Sequence, residues 1–364
     1  MANTDGDGTP QAAWRAFVAG LDAAGQALEE QTRDLSPEEQ ADGYRALIRA
    51  LANQLGRFEI DRANPELVAF NGWRQKFFMD NPDFLYWLAD VDAHRRYRIT
   101  GHIGDAVHTS ITAYASQSLT DAKAAAKLDQ AELPLDADGR YTIIAAREKP
   151  EEAGAWLELP EGANAIWVRS FYDNVATDRP GDCRIEPLDP VPAPPVIEPG
   201  KFAHRLTKLG QTMGFTAKAM AAATSTDLAH PNTIRVWEEM QAGAVFTEPN
   251  IHYQRGAWRL APDEALVIEG HAPSCLYWNV MLYSRFLNSL DHRHRPVSLT
   301  GARTVLEGDR FRLVLSACDP GVPNWLDTEG REFGLFVFRW LRPDQSPALP
   351  TLSVLKTASL AGDA

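Results

Sequence analysis

The sequence predicts a mainly β protein with a helical N-terminal region (α+β), in which two tandem-repeated antiparallel β units form a sandwich or jelly-roll-like pair. The first observation behind this prediction is an internal repeat: residues 97–116 recur at 266–285, and the Gly-His pair at 101–102 recurs at 270–271. A tandem repeat sets the architecture before any single residue is interpreted. The second observation is a change near residue 97 from helical apolar spacing to β-rich stretches bounded by glycine.

The repeat extends over further blocks in the same order. With offsets of about 170, residues 139–144 match 309–314, 155–158 match 324–327, and 166–168 match 335–337. Chance similarity of short apolar strands would explain one block, but not four with the same Gly-His and Trp-Leu pairs. We therefore interpret the chain as a duplication, in which shared positions serve folding and positions that differ are better candidates for function.

The elements follow the chain in the order helices, β unit, linker, helices, β unit. Apolar spacing and capping residues predict helices over 11–33, 36–55, 64–79, 200–224 and 231–241. The resulting parts are a helical N-terminal region (1–93), a first β unit (94–188), a Pro-rich linker with helices (189–245), a second β unit (246–343) and a tail (344–364). The apolar face of each sheet needs a cover, so the units are expected to pack face to face or side by side, with a cleft between them.

Composition excludes several partner classes. The net charge of −13 repels nucleic-acid phosphates and anionic membrane surfaces. No basic-apolar signal segment and no run of 18 apolar residues occurs, and the three cysteines have no C-x-x-C spacing. We expect a cytoplasmic protein with no nucleic-acid partner and no membrane span, and leave homo-oligomer formation open.

The common catalytic signatures do not occur in the sequence. It contains no G-x-S-x-G elbow, no G-x-G-x-x-G turn and no Walker A sequence. Their absence argues against α/β hydrolases, dinucleotide oxidoreductases and P-loop phosphotransferases. We therefore expect a site without a cofactor and without a metal.

The second β unit resembles the DUF1214 domain family, whose members are often found with a DUF1254 domain. The residues that carry the resemblance are 260–268, 277–283, 297–299 and 319–328, within a match over 258–342. The N-terminal half resembles the upstream region of longer bacterial DUF1214 proteins. The resemblance implies a mostly β, sandwich-like domain that binds or processes lipids or other hydrophobic molecules, and it brings no agreed set of catalytic residues.

Two equivalent strands place polar side chains on one face. His108 and Ser110 share a face in the first unit, and Tyr277 and Asn279 share it in the second, while Trp278 points the other way. Polar residues repeated on one face either point to solvent or line the cleft.

A further polar group ends a strand of the first unit. Arg169, Tyr172 and Asp173 could together act on a carbonyl or carboxylate. The alternative is a surface ion pair.

The loop 319–328 is the sharpest local signal, because two prolines and a glycine make it rigid. It could present Asn324, Trp325 and Asp327 to one ligand. The alternative is a structural turn in which Asp327 caps backbone amides and Trp325, like Trp156, fills the core.

The segment 291–295 contains an H-x-H pattern, which places two imidazoles on one side of a strand. A cupin-like metal site would also need Glu307 and His252. A solvated basic hairpin is the alternative, in which Arg293 could still hold an anionic group of a substrate.

The sequence predicts that the protein binds a small hydrophobic molecule in the cleft between the repeats, with cofactor-free acid/base conversion of the hydrolase, lyase or isomerase type. The alternatives are a non-catalytic lipid or hydrophobic-ligand carrier or interaction module, and a cupin-like metal-dependent enzyme. The candidate catalytic residues are His108, Tyr277, Asn279, Asp327 and His252, and the candidate ligand-binding residues are Arg169, Tyr172, Trp278, Asn324 and Arg293.

Overall fold

The structure, a computed structural model, describes residues 8–59, 61–118, 121–151, 154–193 and 196–360. Pro194 and Pro195 of the predicted linker and the last four residues of the predicted tail lie outside these ranges. The mainly β fold with a helical N-terminal region and antiparallel sheets is confirmed. Within the described ranges, no helix combines the length and the apolarity needed to cross a membrane.

Two capped helices open the chain. Helix α1 spans Pro10–Thr32, with Thr9 as N-cap, and α2 spans Pro37–Leu55. The Ser36 hydroxyl accepts a hydrogen bond from the Glu39 amide at 3.3 Å, as the sequence pattern of that helix start predicts.

The helix predicted over 64–79 is wrong. This segment is irregular apart from the short strand β1 (Val68–Ala69), and β2 (Phe84–Asp90) follows it, so strands begin inside the region 1–93. The apolar residues that suggested a helix pack in a loop instead. Because Asn53 donates its side-chain amide to the carbonyls of Phe70 and Gln75, the α2 helix holds this loop in an extended path.

The first unit contains two sheets. Its strands are β3 (Tyr97–His102), β4 (His108–Ser116), β5 (Ala122–Asp129), β6 (Arg140–Ala146), β7 (Trp156–Glu158), β8 (Ala163–Phe171) and β9 (Asp182–Pro187), together with β1 and β2. Inner sheet 1 has the strand order β1-β2-β8-β4-β5, and outer sheet 1 has the order β7-β6-β3-β9.

Helix α3 (Pro199–Ala229) connects the units, close to the predicted 200–224. The next predicted helix, over 231–241, is wrong. Residues Thr233–Val236 form strand β10, which pairs with the following strand, and only Glu238–Met240 forms a 3₁₀ turn. The β-branched residues of this stretch favour the extended conformation.

The second unit repeats the topology of the first. Its further strands are β11 (Ile251–Arg259), β12 (Glu264–His271), β13 (Tyr277–Tyr283), β14 (Ser298–Thr300), β15 (Leu306–Glu307), β16 (Arg310–Ser316), β17 (Trp325–Asp327), β18 (Phe333–Leu341) and β19 (Thr351–Lys356), followed by α4 (Thr357–Leu360). Inner sheet 2 has the order β10-β11-β18-β13-β14, and outer sheet 2 has the order β15-β16-β12-β19. The pairs β6/β7 and β16/β17 are both parallel. Since β19 pairs with β12, the predicted tail completes the second unit.

Each unit is therefore a two-sheet sandwich, rather than half of one sandwich. The core of the first unit packs Ile111, Ile166 and Val168 of the inner sheet with Ile99 and Ile143 of the outer sheet. In the second unit, residues of inner sheet 2 such as Phe338 pack on Leu313 and other residues of outer sheet 2 in the same way. The two inner sheets are left to face each other, so the contact between the repeats has sheet on both sides.

The structural repeat shifts its register in one strand. Ser110 of β4 pairs with Arg169 of β8, and Asn279 of β13 pairs with Arg339 of β18. Ser110 and Asn279 are 169 residues apart, whereas the two arginines are 170 apart. A constant offset of 169 places Arg169 opposite Phe338, so the sequence comparison misses the equivalence of the arginines.

Helices α1 and α3 pack closely at a glycine contact. A Cβ added to Gly20 would lie 2.0 Å from the carbonyl oxygen of Gly210, and one added to Gly210 would lie 2.6 Å from the Cα of Phe17. Gly25 in the same helix α1 has no such neighbour, since a Cβ there first meets the Tyr44 ring at 4.0 Å. The helices can approach this closely only where both lack a side chain.

We predict that Gly20→Ala destabilises the fold by about 1–3 kcal/mol, since the added methyl forces the helices apart. The control Gly25→Ala should stabilise it by about 0.5–1 kcal/mol through the better helix propensity of alanine. Urea denaturation measures both values. Equal effects of the two substitutions would show that the glycine contact does not limit the helix packing.

Candidate functional site

A buried arginine between two tyrosines lies at the centre of inner sheet 1. Tyr86 of β2 and Arg169 of β8 are direct cross-strand neighbours. The Arg169 guanidinium carbon lies 6.0 Å from the Tyr86 ring centre and 5.4 Å from that of Tyr114. Its Nη1 donates to the Tyr114 hydroxyl at 3.1 Å. We call Tyr86, Arg169 and Tyr114 the first row.

Inner sheet 2 carries an equivalent second row of Tyr253, Arg339 and Tyr283. Tyr253 and Arg339 are again cross-strand neighbours. The Arg339 guanidinium carbon lies 5.9 Å from the Tyr253 ring centre and 5.7 Å from that of Tyr283. The Glu248 amide donates to the Tyr253 hydroxyl at 3.3 Å, and the Glu248 carboxylate lies 3.7 Å from Arg169, so the two rows face each other across the contact between the units. Both guanidiniums accordingly act to lower the pKa values of Tyr86 and Tyr253.

The tyrosines of these rows stay protonated. Burial raises the pKa of Tyr253 to about 12 and raises the pKa values of Tyr86, Tyr114 and Tyr283 further, although the arginines act against it. Burial lowers the pKa of Arg339, but its interactions with tyrosines, Tyr283 first among them, outweigh burial and raise it overall. At neutral pH the rows therefore offer hydrogen-bond donors and positive charge.

The two units exchange loops across this contact. The 78–83 loop precedes the first unit's strand β2, yet its Met79 carbonyl accepts a hydrogen bond from Arg339 of the second unit at 3.1 Å. The 245–250 loop precedes the second unit's strand β11, and its Phe246 carbonyl accepts a hydrogen bond from Arg169 of the first unit. Each loop thus supplies an acceptor to the arginine of the other unit.

Both loops present these carbonyls through left-handed backbone. Phe78 and Met79 have φ of 34° and 59°, and the equivalent Val245 and Phe246 have φ of 51° and 62°. Two consecutive non-glycine residues in this region are strained. The strain occurs at the same place in both repeats, which indicates that the exchange of acceptors requires it.

The arginine of the first row has a carboxylate partner. Glu248 of the 245–250 loop accepts a hydrogen bond from Ser110 at 2.7 Å and lies 3.7 Å from the Arg169 guanidinium. Glu248 also pairs with Lys127, whose Nζ lies 2.7 Å from Asp129. This chain of alternating charges compensates the buried Arg169.

The second row lacks such a chain. Asn81 replaces Glu248 in the equivalent 78–83 loop, and it accepts a hydrogen bond from Asn279 at 3.1 Å. Asn279 also donates to Asp83 at 2.8 Å, and Ser298 lies 3.4 Å from the same carboxylate. Among the described residues, the buried polar atoms here without a hydrogen-bond partner are Arg339 Nη1, the Tyr277 hydroxyl, the Tyr283 hydroxyl, Asn279 Oδ1 and Asn81 Nδ2. Arg339 and Tyr283 lie close enough to interact with each other.

Comparison with known proteins agrees with this architecture. The model of the family described as a protein of unknown function (DUF1214) matches residues 89–174. The chain is a DUF1214 domain-containing protein. The match to the DUF1214 model falls on the first unit, whereas the resemblance in the sequence was drawn from 258–342 of the second. The family is therefore confirmed, but its placement on the second unit is not.

Two solved structures are similar to this chain. An uncharacterised protein from Burkholderia cenocepacia aligns with a TM-score of 0.89 at 28% identity, over 96% of this chain and 98% of that chain. The VPA0106 protein from Vibrio parahaemolyticus aligns with a TM-score of 0.47 at 12% identity, over 93% of this chain and 100% of that one. No curated protein sequence matches the chain significantly.

Four of the sequence-predicted site residues meet at this centre. Arg169 lies in the first row, and Asn279 joins the second row to Asp83. The rings of His108 and Tyr277 lie 5.4 and 5.7 Å from the ring of Phe171, one from each unit. The His108 Nε2 lies 3.3 Å from Asp129, at the end of the charge chain.

Two further predicted residues serve packing. Trp278 points away from the centre and stacks on Trp340 at 4.9 Å in the core between inner and outer sheet 2. The Tyr172 hydroxyl accepts a hydrogen bond from the Gly181 amide at 2.7 Å, which ties the end of β8 to the start of β9. Neither side chain has a polar group directed at the rows.

The rigid loop 319–328 lies apart from the centre. The Asn324 side-chain amide forms hydrogen bonds with backbone groups of Val305 and Arg312, at 2.8 to 3.1 Å. Asp327 pairs with Arg295 at 2.6 Å and accepts a hydrogen bond from the Glu329 amide. Both residues hold loops in place, and the amide capping by Asp327 is what the structural alternative for this segment predicts.

The remaining candidates lie on the surface. His252 is exposed, on the face of β11 opposite Tyr253. Arg293 is exposed and lies 4.8 Å above the Trp73 ring, which His292 also contacts. Within the ranges that the structure describes, no three histidine, cysteine, aspartate or glutamate side chains are grouped to hold a metal. The cupin-like arrangement therefore has no counterpart there.

The sequence reasoning missed most of the second row. Arg339 lies inside the apolar strand Phe333–Leu341, where a charged residue is itself a signal of a partner or a function. The loops that pair with the arginines share an X-Pro-X pattern, Asn81-Pro82-Asp83 and Glu248-Pro249-Asn250. Comparing the strands by position within each strand, rather than by a constant offset, would have found the equivalence of Arg339 and Arg169.

The centre is closed to solvent. Arg169, Arg339, Tyr277 and Asn279 are each at most 4% exposed. Two surface depressions of about 380 and 230 Å³ lie elsewhere, beside Leu260 and beside Asp227.

Burial raises the pKa of Asp83, against hydrogen bonds from Asn279 and Ser298. A carboxyl with a raised pKa in the folded state supports folding at a pH below its unfolded pKa, and this support is lost as the pH rises through the folded pKa. We predict that Asp83→Asn, which keeps an acceptor for Asn279, gains stability relative to the wild type as the pH rises above about 4. Urea denaturation between pH 4 and 8 measures the difference, and a difference that does not change with pH would contradict the assignment.

Proposed function

We propose that the protein binds a small hydrophobic molecule between its two β units and orients a polar group of that molecule with the donors of the second row. The observation that carries the proposal is the pair of buried donors Arg339 Nη1 and Tyr283 Oη, which lie close to each other in the second row and have no other hydrogen-bond partner among the described residues. A buried donor without a partner costs about 1–3 kcal/mol. Such donors are retained where a ligand or an ordered water completes them.

Aromatic side chains supply the apolar part of the site. The Phe84 and Phe171 rings lie 4.1 Å apart at the contact between the units, and Tyr277 of the other unit lies 5.5 Å from Phe84. Apolar walls with a few placed polar groups are typical of sites for small organic molecules.

Acid/base conversion is the chemistry that this centre supports. Protonated tyrosines and an arginine polarise a carbonyl oxygen. Asp83, whose pKa is raised by burial, lies beside Asn279 and could take a proton from the carbon next to that carbonyl. Return of the same proton to another atom of the substrate is an isomerisation, which needs no cofactor and no co-reactant.

A non-catalytic carrier is the second candidate. The closure of the centre favours it, because a carrier has to shield an apolar molecule from water, whereas an enzyme must also open at every turnover.

The binding proposal is tested with two neutral aryl ketones, acetophenone and 4-phenyl-2-butanone, titrated by calorimetry. We expect saturable 1:1 binding of at least one ketone. Tyr283→Phe should weaken it about three- to tenfold, the value of one lost hydrogen bond of about 1 kcal/mol. The matched control is Tyr114→Phe, because that hydroxyl already donates to the Thr247 carbonyl. Absence of saturable binding, or equal effects of both substitutions, would overturn the proposal.

Catalysis and carriage are separated by hydrogen exchange in D₂O. If Asp83 is the base, the protein should accelerate deuterium incorporation next to the carbonyl of the bound ketone, as followed by NMR, and Asp83→Asn should remove the acceleration. Binding without acceleration would leave the carrier as the function.

A further inference from the structure

The two rows differ in one decisive respect, the presence of a carboxylate. Arg169 has Glu248 at 3.7 Å, and Glu248 is 1% exposed. The equivalent loop position in front of Arg339 holds the neutral Asn81. Otherwise the rows share their tyrosines, their loop carbonyl and their left-handed loop backbone.

The side chains around Arg169 are charged, whereas those at the equivalent positions around Arg339 are neutral. Lys127 and Asp129 on β5 continue the charge chain of the first row. Strand register places Ser298 and Thr300 of β14 at the positions beside the second row that are equivalent to Lys127 and Asp129. Among the residues that the structure describes, no carboxylate forms an ion pair within 4.0 Å of Arg339. The nearest acid along the loop, Asp83, instead accepts hydrogen bonds from Asn279 and Ser298.

A buried arginine without an anion is costly, since an uncompensated buried charge destabilises a protein by about 3–5 kcal/mol. The Arg339 side chain is 4% exposed and its Nη1 has no partner. The Tyr283 hydroxyl belongs to the same row and interacts with the Arg339 guanidinium. Each group keeps a hydrogen with no acceptor among the described residues, so two donors are available to one acceptor group. A planar monoanion with two oxygens fits a guanidinium and a hydroxyl together.

The charge of the centre selects among anions. Asp83 lies close enough to Arg339 for the arginine to lower its pKa. A phosphate dianion would bring two further negative charges beside this carboxyl, whereas a carboxylate brings the single charge that Glu248 supplies in the first row. The aromatic rings of Phe84 and Phe171 favour an apolar body behind the carboxylate.

We infer that the molecule bound between the units is an apolar monocarboxylate, an aryl- or alkyl-substituted carboxylic acid whose carboxylate pairs with Arg339 in the place that Glu248 takes beside Arg169. This inference rests on the proposed function and gives its ligand a chemical class. One repeat contains its own carboxylate, and the other takes the carboxylate from the ligand.

The test is to supply that carboxylate from the protein. Asn81→Glu gives the second row the pairing that Glu248 gives the first. The probes are 4-phenylbutyrate and its neutral amide, 4-phenylbutanamide, titrated by calorimetry at low salt. We expect the wild type to bind the carboxylate at least tenfold more tightly than the amide, and Asn81→Glu to lose this preference. The control Gln11→Glu adds the same charge at an exposed position of α1, away from the centre. This variant should keep the preference for the carboxylate over the amide.

Each outcome decides the inference. If the wild type binds 4-phenyl-2-butanone with the dependence on Tyr283 but shows no preference for the carboxylate, the inference fails and the proposed function stands. If no probe binds, both fail. Should Asn81→Glu not fold, Tyr283→Phe replaces it, since the loss of one hydroxyl is expected to weaken the carboxylate more than the amide. An equal loss for both would overturn the inference.

Discussion

The burial of two guanidinium groups in one contact constrains the rest of this structure. Arg169 and Arg339 lie in the central strands of the inner sheets and are at most 4% exposed. Neither could be buried there without acceptors, because removing a charge from water costs several kcal/mol unless it is paired and hydrogen-bonded. The exchanged loops meet this requirement. Each reaches from its own unit to the arginine of the other and presents a carbonyl through strained, left-handed backbone.

This exchange explains why the repeat is preserved as a pair of sandwiches. The outer sheets cover the apolar faces and need no partner from the other unit. The inner sheets carry the polar rows, whose arginines find their loop carbonyl acceptors across the contact. Within this common frame the copies have diverged. The first row completes its own charges with Glu248, and the second leaves donors unpaired.

The sequence was sufficient to predict the architecture because the evidence for it is local and repeated. Alternating apolar residues, the Gly-His and Trp-Leu pairs and the Ser36 cap each reflect short-range physics. The helix predicted over 64–79 failed because contacts distant in sequence hold that loop. Lys76, for example, donates to the Ser289 hydroxyl and carbonyl at 2.8 and 2.6 Å. Such contacts leave no periodic pattern.

Part of the candidate site was predictable from the sequence, and individual residues show why the rest was not. Strand alternation was enough to place His108, Tyr277 and Asn279 on one face. Asn324 and Asp327 stood out by composition, but their hydrogen bonds serve the loops that carry them. The difference between Asn81 and Glu248 becomes visible only once the shared arginines are aligned. That alignment depends on a one-residue change of register that a constant offset hides.

The central claim is that the second row has donors which the protein itself does not satisfy. A crystal structure at about 1.2 Å resolution, where bound waters, ions and small ligands are well defined, tests it most directly. Our account predicts density for a water, an anion or an organic acid within hydrogen-bond distance of Arg339 Nη1 and the Tyr283 hydroxyl, and none at the equivalent place beside Arg169, where Glu248 lies. Direct pairing of Arg339 with a protein carboxylate such as Asp83, with no density between the rows, would contradict it.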